Sequence, residues 1–367
     1  MEKRIRAIGA AILVCLWATL TAFAWFRTPD AISESERRPL AQFPTLTEDT
    51  LLSGKFMTDF DKFTLDQFPA RDTFRQLKSL FHYYVLNQKD NNGIYIADGY
   101  AAKLEYPLNT EAVDYATGRL NWVYETYLKD TDSRIFSVVI PDKGYYLAQE
   151  SGYPAMDYDV LFEKIQQQLP WATHIDITDC LTYEDYYRTD THWRQECILP
   201  VAEKICQALD MPVPQKSDYT PTALERPFYG VYHGQAALPM DSDTMYLMES
   251  KQLDACRVYN YATQTYTQIY DSQMLTSKDL YDVYLSGSQS LLRIENPNAT
   301  TDRELIIFRD SFGSSVTPLL VSQYKTVTLV DIRYIQPQLL QNYLQFNGQD
   351  VLFMYSTLVL NSGTTLK

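Results

Sequence analysis

From Glu304 onward the chain alternates short apolar runs with amphipathic ones: strand-like Glu304 to Phe308, helical Phe312 to Gln323, strand-like Thr326 to Asp331, helical Gln336 to Phe346, strand-like Val351 to Tyr355. A continuous apolar run too short for a helix reads as a strand covered on both faces, and strands joined through helices lie parallel. The same rhythm occurs earlier, with Glu111 to Leu128 helical, Ile135 to Ile140 a buried strand, Tyr158 to Leu169 helical and His174 to Ile177 a strand. The expectation is an α/β fold around a mostly parallel sheet. Between the two blocks, Ala223 to Asn296 alternates Tyr and Thr without helical period, which predicts antiparallel hairpins inserted in that sheet or laid against it.

The amino terminus carries a different signal. Lys3, Arg4 and Arg6 precede a run without charge from Ala7 to Phe26. About twenty apolar residues cross a bilayer as a helix. Positive charge before the run places its start in the cytoplasm and the remaining chain outside. A cleaved signal peptide is the rival reading, since Ala22-Phe23-Ala24 resembles a small-x-small cleavage site. The run is long for a signal sequence, which favours an uncleaved single-pass anchor in the cell membrane.

Thr28 to Leu51 is polar and proline-punctuated, and reads as a tether that becomes a docked arm. From Gly54 to Leu86 apolar residues recur at helical spacing, interrupted at Phe68-Pro69-Ala70-Arg71, which predicts two helices. Asn91 to Gly99 predicts a β-hairpin with an Asp-Gly turn. The chain therefore divides into residues 1–27 (cytoplasmic start and anchor), 28–90 (tether and helical arm) and 91–367 (the main domain).

A net charge of -14 and a pI near 4.8 argue against nucleic acid or an anionic membrane surface as the main partner, because a phosphate backbone is held by clustered Lys and Arg. The 29 tyrosines suit a surface that stacks on sugar rings, and equally a half-buried sheet. Cys180, Cys197, Cys206 and Cys256 lie beyond the anchor and permit up to two disulfides, or remain buried thiols. The four histidines form no zinc pattern, so neither metal nor cofactor is predicted.

Two polar motifs supply chemistry. Asp190-Thr191-His192-Trp193 contains a carboxylate and an imidazole, and Asp310-Ser311-Phe312 places a serine where a strand hands over to a helix. A serine hydroxyl attacks poorly unless an imidazole takes its proton, and the imidazole works best when a carboxylate fixes its tautomer. The Ser311 amide, at the start of a helix, is the natural donor to a developing oxyanion.

These motifs resemble those of the DHHW family, SGNH hydrolase-like exported proteins related to the O-acetyltransferases of alginate and other surface polysaccharides. The matching pieces are Asp66-Gln67-Phe68-Pro69-Ala70-Arg71, Asn92-Gly93-Ile94-Tyr95, Pro141-Asp142-Lys143, Tyr187 to Trp193, Tyr281 to Leu285 with Gly287, Arg309-Asp310-Ser311-Phe312 and Asp331-Ile332-Arg333-Tyr334. The resemblance implies a flavodoxin-like SGNH three-layer sandwich in which Asp190 orients, His192 is the base and Ser311 the nucleophile. It implies an O-acetyltransferase or acetylesterase acting on a cell-surface polysaccharide, with a membrane-bound O-acyltransferase as acetyl supplier. Two positions depart from the pattern: Thr191 replaces the second His of the family name, and Arg309 stands where a Gly commonly precedes Asp-Ser. Thr191 is expected to point away from Asp190 and His192, since side chains of an extended segment alternate.

Other residues keep two readings. Gly287 offers a second oxyanion amide or makes a plain turn. Arg333 and Tyr334 bind acyl or sugar oxygens, or Arg333 pairs with Asp331 or Asp310. Trp193 stacks on a sugar or wedges the His192 loop against the core. Asp310 caps the turn that presents Ser311. The competing functional reading is a non-catalytic, anchored glycan-binding or assembly protein.

Overall fold

The computed structural model describes residues 2–367. Two compact units form, one from the chain up to Asn92 together with His233–Pro239, the other from Gly93–Tyr232 and Met240–Lys367.

The larger unit is built on an eight-stranded sheet. Its strands in chain order are β1 (Arg134–Ile140), β2 (Thr173–His174), β3 (Arg257–Asn260), β4 (Thr265–Thr267), β5 (Leu291–Glu295), β6 (Glu304–Arg309), β7 (Thr326–Val330) and β8 (Asp350–Ser356). Their order across the sheet is β4-β3-β5-β7-β6-β8-β1-β2. Pairing is parallel from β7 through β2 and antiparallel from β4 through β7.

Because side chains alternate along a strand, each apolar run feeds both faces. Leu305 and Ile307 of β6 join Leu352 and Met354 of β8 in one core, covered by Val201 and Ile205 of helix Leu199–Ala208 and Val316 and Leu319 of helix Gly313–Leu320. Ile306, Phe308, Val351 and Phe353 enter the opposite core, covered by Val113 and Leu120 of helix Thr110–Val123 and Leu161 and Ile165 of helix Tyr158–Gln168. Each such side chain contributes about 1.5–3 kcal/mol by leaving water. The result is a three-layer α/β/α sandwich with a mixed, mostly parallel sheet.

The Tyr/Thr-rich stretch divides between the two placements foreseen for it. The β3–β4 hairpin and β5 extend the main sheet antiparallel, while Thr220–Ala223 pairs with Tyr246–Glu249 in a separate two-stranded sheet. Two expected elements are shorter than predicted. Of His174 to Ile177 only His174 belongs to a strand; Ile175 and Ile177 still enter the core, but from irregular chain leading into the Thr178–Cys180 turn. Gln336 to Phe346 is not a continuous helix but a tight-turn segment over Pro337–Asn342, in which Pro337 and Leu340 alone are buried, so no apolar stripe exists to extend it. At Asp98-Gly99 both residues have positive φ, 48° and 79°, the backbone a two-residue hairpin between Ile94–Ala97 and Tyr100–Lys103 requires.

In the smaller unit the apolar helix spans Glu2–Phe26, followed by helices Glu48–Leu52, Lys55–Asp66 and Arg71–Leu80. The break between the last two falls at Ala70, whose φ is 53°. Gln67 receives the Asp30 amide at 2.9 Å and donates to the Asp30 and Ala41 carbonyls, and Arg38 grips Asp66 with two nitrogens at 2.7 and 2.9 Å. The polar tether is thus fastened to the arm. All five cysteines are free thiols.

Candidate active site

Strand β6 is where the winding of the sheet reverses: the chain passes from β6 to β7 on one side and from β7 to β8 on the other. Crevices at the carboxyl ends of parallel strands open at such a switch point. The pairing of Phe308 with Val330 and of Arg309 with Met354 aligns the ends of β6, β7 and β8 there. Asp310-Ser311 follows β6 directly and leads into helix Gly313–Leu320.

The turn is held from below. Asp310 accepts the Phe312 amide at 3.0 Å on one carboxylate oxygen, and the Ser356 amide and hydroxyl at 2.7 and 2.6 Å on the other. It shapes the turn and ties it to the end of β8, as the capping reading requires. Gly313 and Ser314 donate their amides to the Asp310 and Ser311 carbonyls. The Ser311 amide makes no hydrogen bond among the described residues, so it is the uncommitted donor of the turn.

His192 Nε2 lies 2.8 Å from Ser311 Oγ, and His192 Nδ1 lies 2.6 Å from Asp190 Oδ1. A carboxylate only accepts, so Nδ1 carries the proton and Nε2 presents its lone pair to the serine hydroxyl. The same Asp190 oxygen accepts the His192 amide at 3.0 Å, and its other oxygen accepts the Val231 amide at 2.8 Å. Asp190 is fully buried, His192 nearly so, and Ser311 partly exposed. The imidazole stacks on the Tyr281 ring, with centroids 3.9 Å apart and planes 9° from parallel, and packs against Phe312 at 4.9 Å. Tyr281 is itself pinned, its hydroxyl 2.8 Å from Ser315 Oγ and 3.3 Å from the Ser311 carbonyl.

The loop carrying Asp190 and His192 is fixed by groups to which the sequence assigned no role. Lys143, 2% exposed, donates its ammonium to the carbonyls of Ala101, Tyr187 and Asp190 at 2.5, 2.6 and 2.9 Å. Burial lowers its pKa to about 7 against the pull of Asp190, Asp243 and Asp142. Asp243 accepts the Arg188 and Thr189 amides and the Thr189 hydroxyl. Gly230 donates to Thr189 Oγ1, and a Cβ on Gly230 would lie 2.2 Å from that of Asp190. Lys143 left a trace in the sequence, a lysine just beyond a buried strand. Asp243 and Gly230 left none, because their partners lie tens of residues away.

Chains of known structure share this architecture. A DHHW family protein from Eubacterium siraeum superimposes with a TM-score of 0.61 at 23% identity, over 75% of this chain and 94% of that one. Bacillus cereus PatB1 with a sulfonyl adduct gives 0.58 at 18%, over 75% and 98%, and a second PatB1 structure gives 0.56. The fold is SGNH-like. At these identities the likeness is one of fold, and no family model and no curated protein matches the sequence.

On this SGNH-like frame the remaining candidates are placed as follows. Trp193 is fully buried and donates its indole N–H to Ser315 Oγ at 2.9 Å, so it wedges the His192 loop against the core and has no face for a sugar. The Gly287 amide donates to the Tyr284 carbonyl at 3.1 Å within a turn of positive φ, and is spent there rather than offered to an oxyanion. Arg333 forks onto both oxygens of Asp331 at 2.9 and 2.7 Å, the structural pairing, and Tyr334 beside it is exposed. Thr191 accepts a hydrogen bond from the Tyr232 hydroxyl at 3.1 Å. Arg309 is fully buried beneath the turn, with Nη1 on Ser314 Oγ at 3.0 Å and on the Asp310 carbonyl at 3.3 Å, and Nε and Nη2 unpaired. Burial lowers its pKa below that of an ordinary guanidinium, against Asp331 and Asp310. Gly313 makes room for it, since a Cβ there would come within 2.8 Å of the Arg309 side chain.

Proposed function

We propose that this chain is a membrane-anchored, extracytoplasmic acyl-transfer enzyme that moves acetyl groups onto, or removes them from, a cell-surface polysaccharide. The observation that carries the reading is the unbroken relay from Asp190 through His192 to Ser311. Ser311 Oγ attacks the carbonyl carbon of an acetyl ester while its proton passes to His192 Nε2, and the imidazolium is stabilised by Asp190. The carbonyl oxygen becomes anionic and is received by the Ser311 amide; one such donor is worth about 10²–10³ in rate. Collapse breaks the bond to the leaving oxygen, which takes the proton from Nε2 and leaves an acetyl-serine. A sugar hydroxyl, or water, then loses its proton to Nε2 and attacks the acyl carbon, and collapse breaks the acyl bond to Ser311 Oγ, which takes that proton back from Nε2.

The polysaccharide acceptor and acetyl chemistry rest on the motif resemblance. The extracytoplasmic position rests on the amino-terminal helix, whose residues Lys3–Phe26 are long and apolar enough to cross a membrane, with positive charge ahead of the apolar run. A single helix offers no route for an activated acetyl group across the bilayer, so a multispanning O-acyltransferase is the proposed supplier. Hydrolysis of a chromogenic acetate by the wild type, abolished in Ser311→Ala and His192→Ala, supports the chemistry, and transfer to acceptor glycans separates transferase from esterase. Undiminished turnover by Ser311→Ala would refute it.

A further inference from the structure

The helix Arg71–Leu80 and the turn that continues it to Val85 are inside out. Arg75 faces inward, donating to the Gly234 carbonyl at 2.9 Å and lying 3.3 Å from Glu36, and Arg71 meets Glu36 at 2.6 Å. Ser79 is buried and receives the Asn91 side-chain amide at 2.6 Å, and that same amide also reaches the Ala236 carbonyl at 2.7 Å. Phe74, Leu77, Phe81, Tyr84 and Val85, related by steps of three or four residues as one helical face demands, are instead 47–68% exposed, and Leu86 beside them is 56% exposed. A helix in a soluble domain turns its apolar stripe to the core. This one spends its polar face on fixed internal partners and leaves the stripe outside, so the orientation is specified by the fold.

What covers the stripe is indicated by what adjoins it. Phe74 packs edge-on against Phe68 at 5.2 Å, and Phe68 packs against Trp17 of the apolar amino-terminal helix at 6.4 Å. Trp25 of the same helix meets Phe43 and Phe60 at 6.3 and 6.5 Å. The stripe therefore continues the surface of the helix that would hold the chain in the bilayer, and it is rich in the aromatic residues that partition to the acyl–headgroup boundary.

We infer that the Phe74–Leu86 face lies in the outer boundary of the phospholipid bilayer as an interfacial element, giving the protein a second, in-plane hold beside its spanning helix. The inference rests on the anchor reading, and the two fail differently. Full-length protein reconstituted in phosphatidylcholine–phosphatidylglycerol vesicles, with a photoactivatable diazirine on the lipid acyl chain, is irradiated, digested and mapped by mass spectrometry. The inference expects lipid adducts on Phe74, Leu77, Phe81 and Tyr84 as well as on the Ala7–Phe26 helix, many-fold above those on helix Tyr158–Gln168. Adducts on the amino-terminal helix with none on residues 74–86 would overturn it while leaving the anchor intact, and the face would then await a protein partner. Absence of adducts from both segments would overturn the anchor reading and this inference with it.

Discussion

The ammonium of Lys143 lies 2.9 Å from the carbonyl oxygen of Asp190, the residue whose carboxylate faces His192 Nδ1. A buried cation whose three donors end on three carbonyls joins the hairpin at Ala101 to both ends of the segment Tyr187–Asp190. The geometry of the proposed base is thereby set from behind, by a residue that touches no reacting atom.

Lys143→Met is expected to leave those three carbonyls without a donor, at about 1–3 kcal/mol for each buried group that finds no water. Urea denaturation at pH 7 should show a loss of several kcal/mol, and esterase activity should fall with it. The pH dependence has a fixed sign. With a folded pKa near 7 and an unfolded value of about 10.4, the unfolded chain holds more protons between those limits. The wild type should therefore gain stability relative to the variant as pH rises from about 7 towards 10, and lose that gain towards acid. A difference that is flat across this window contradicts the assignment.

Gly230→Ala introduces a Cβ 2.4 Å from the Asp190 Cα, a backbone atom that cannot swing aside. The loop must shift, and a displacement of about 1 Å at a catalytic group costs on the order of 10²-fold in rate. The measurement is kcat/KM on a chromogenic acetate together with a far-ultraviolet dichroism spectrum that remains native.

Tyr281 holds the His192 plane by stacking and its own position by hydrogen bonds. Tyr281→Phe keeps the ring and should cost about 1 kcal/mol of stability with little change in kcat, whereas Tyr281→Leu removes the platform and should lower kcat by about tenfold or more. Equal kcat in the two variants would deny the ring its positioning role.

Arg309 is buried with two nitrogens unpaired, and its acidic neighbours are served by others: Asp331 by Arg333, Asp310 by Ser356. Removing a buried charge that leaves no orphaned partner ion is often neutral or stabilising. Arg309→Met should therefore melt within about 1 kcal/mol of the wild type, or above it, by calorimetry. A loss of several kcal/mol would show that the guanidinium is better satisfied than its contacts indicate.

The sheet was legible where apolar runs were long, as at Leu305 to Phe308 and Val351 to Tyr355, because a strand buried on both faces announces itself in composition alone. It was illegible at Ile175 and Ile177, which are as apolar but leave the ladder for a turn. Of the site, Asp190, His192 and Ser311 could be named from spacing and motif, and the structure brings them within hydrogen-bonding distance. Gly287 and Trp193 each kept a functional and a structural reading in sequence. Only the three-dimensional arrangement shows one amide consumed in its own turn and one indole sealed in the core. Gly230 and Asp243 were silent because what demands them is a close approach across the fold.

The most direct test of the central claim is covalent capture of Ser311. Full-length protein in detergent is treated with a sulfonyl fluoride and analysed by intact-mass and peptide mass spectrometry, alongside Ser311→Ala and His192→Ala. The account predicts one sulfonyl adduct, on Ser311, absent from Ser311→Ala and strongly slowed in His192→Ala. An unlabelled wild type, or labelling of Ser311 that is indifferent to His192, would contradict it.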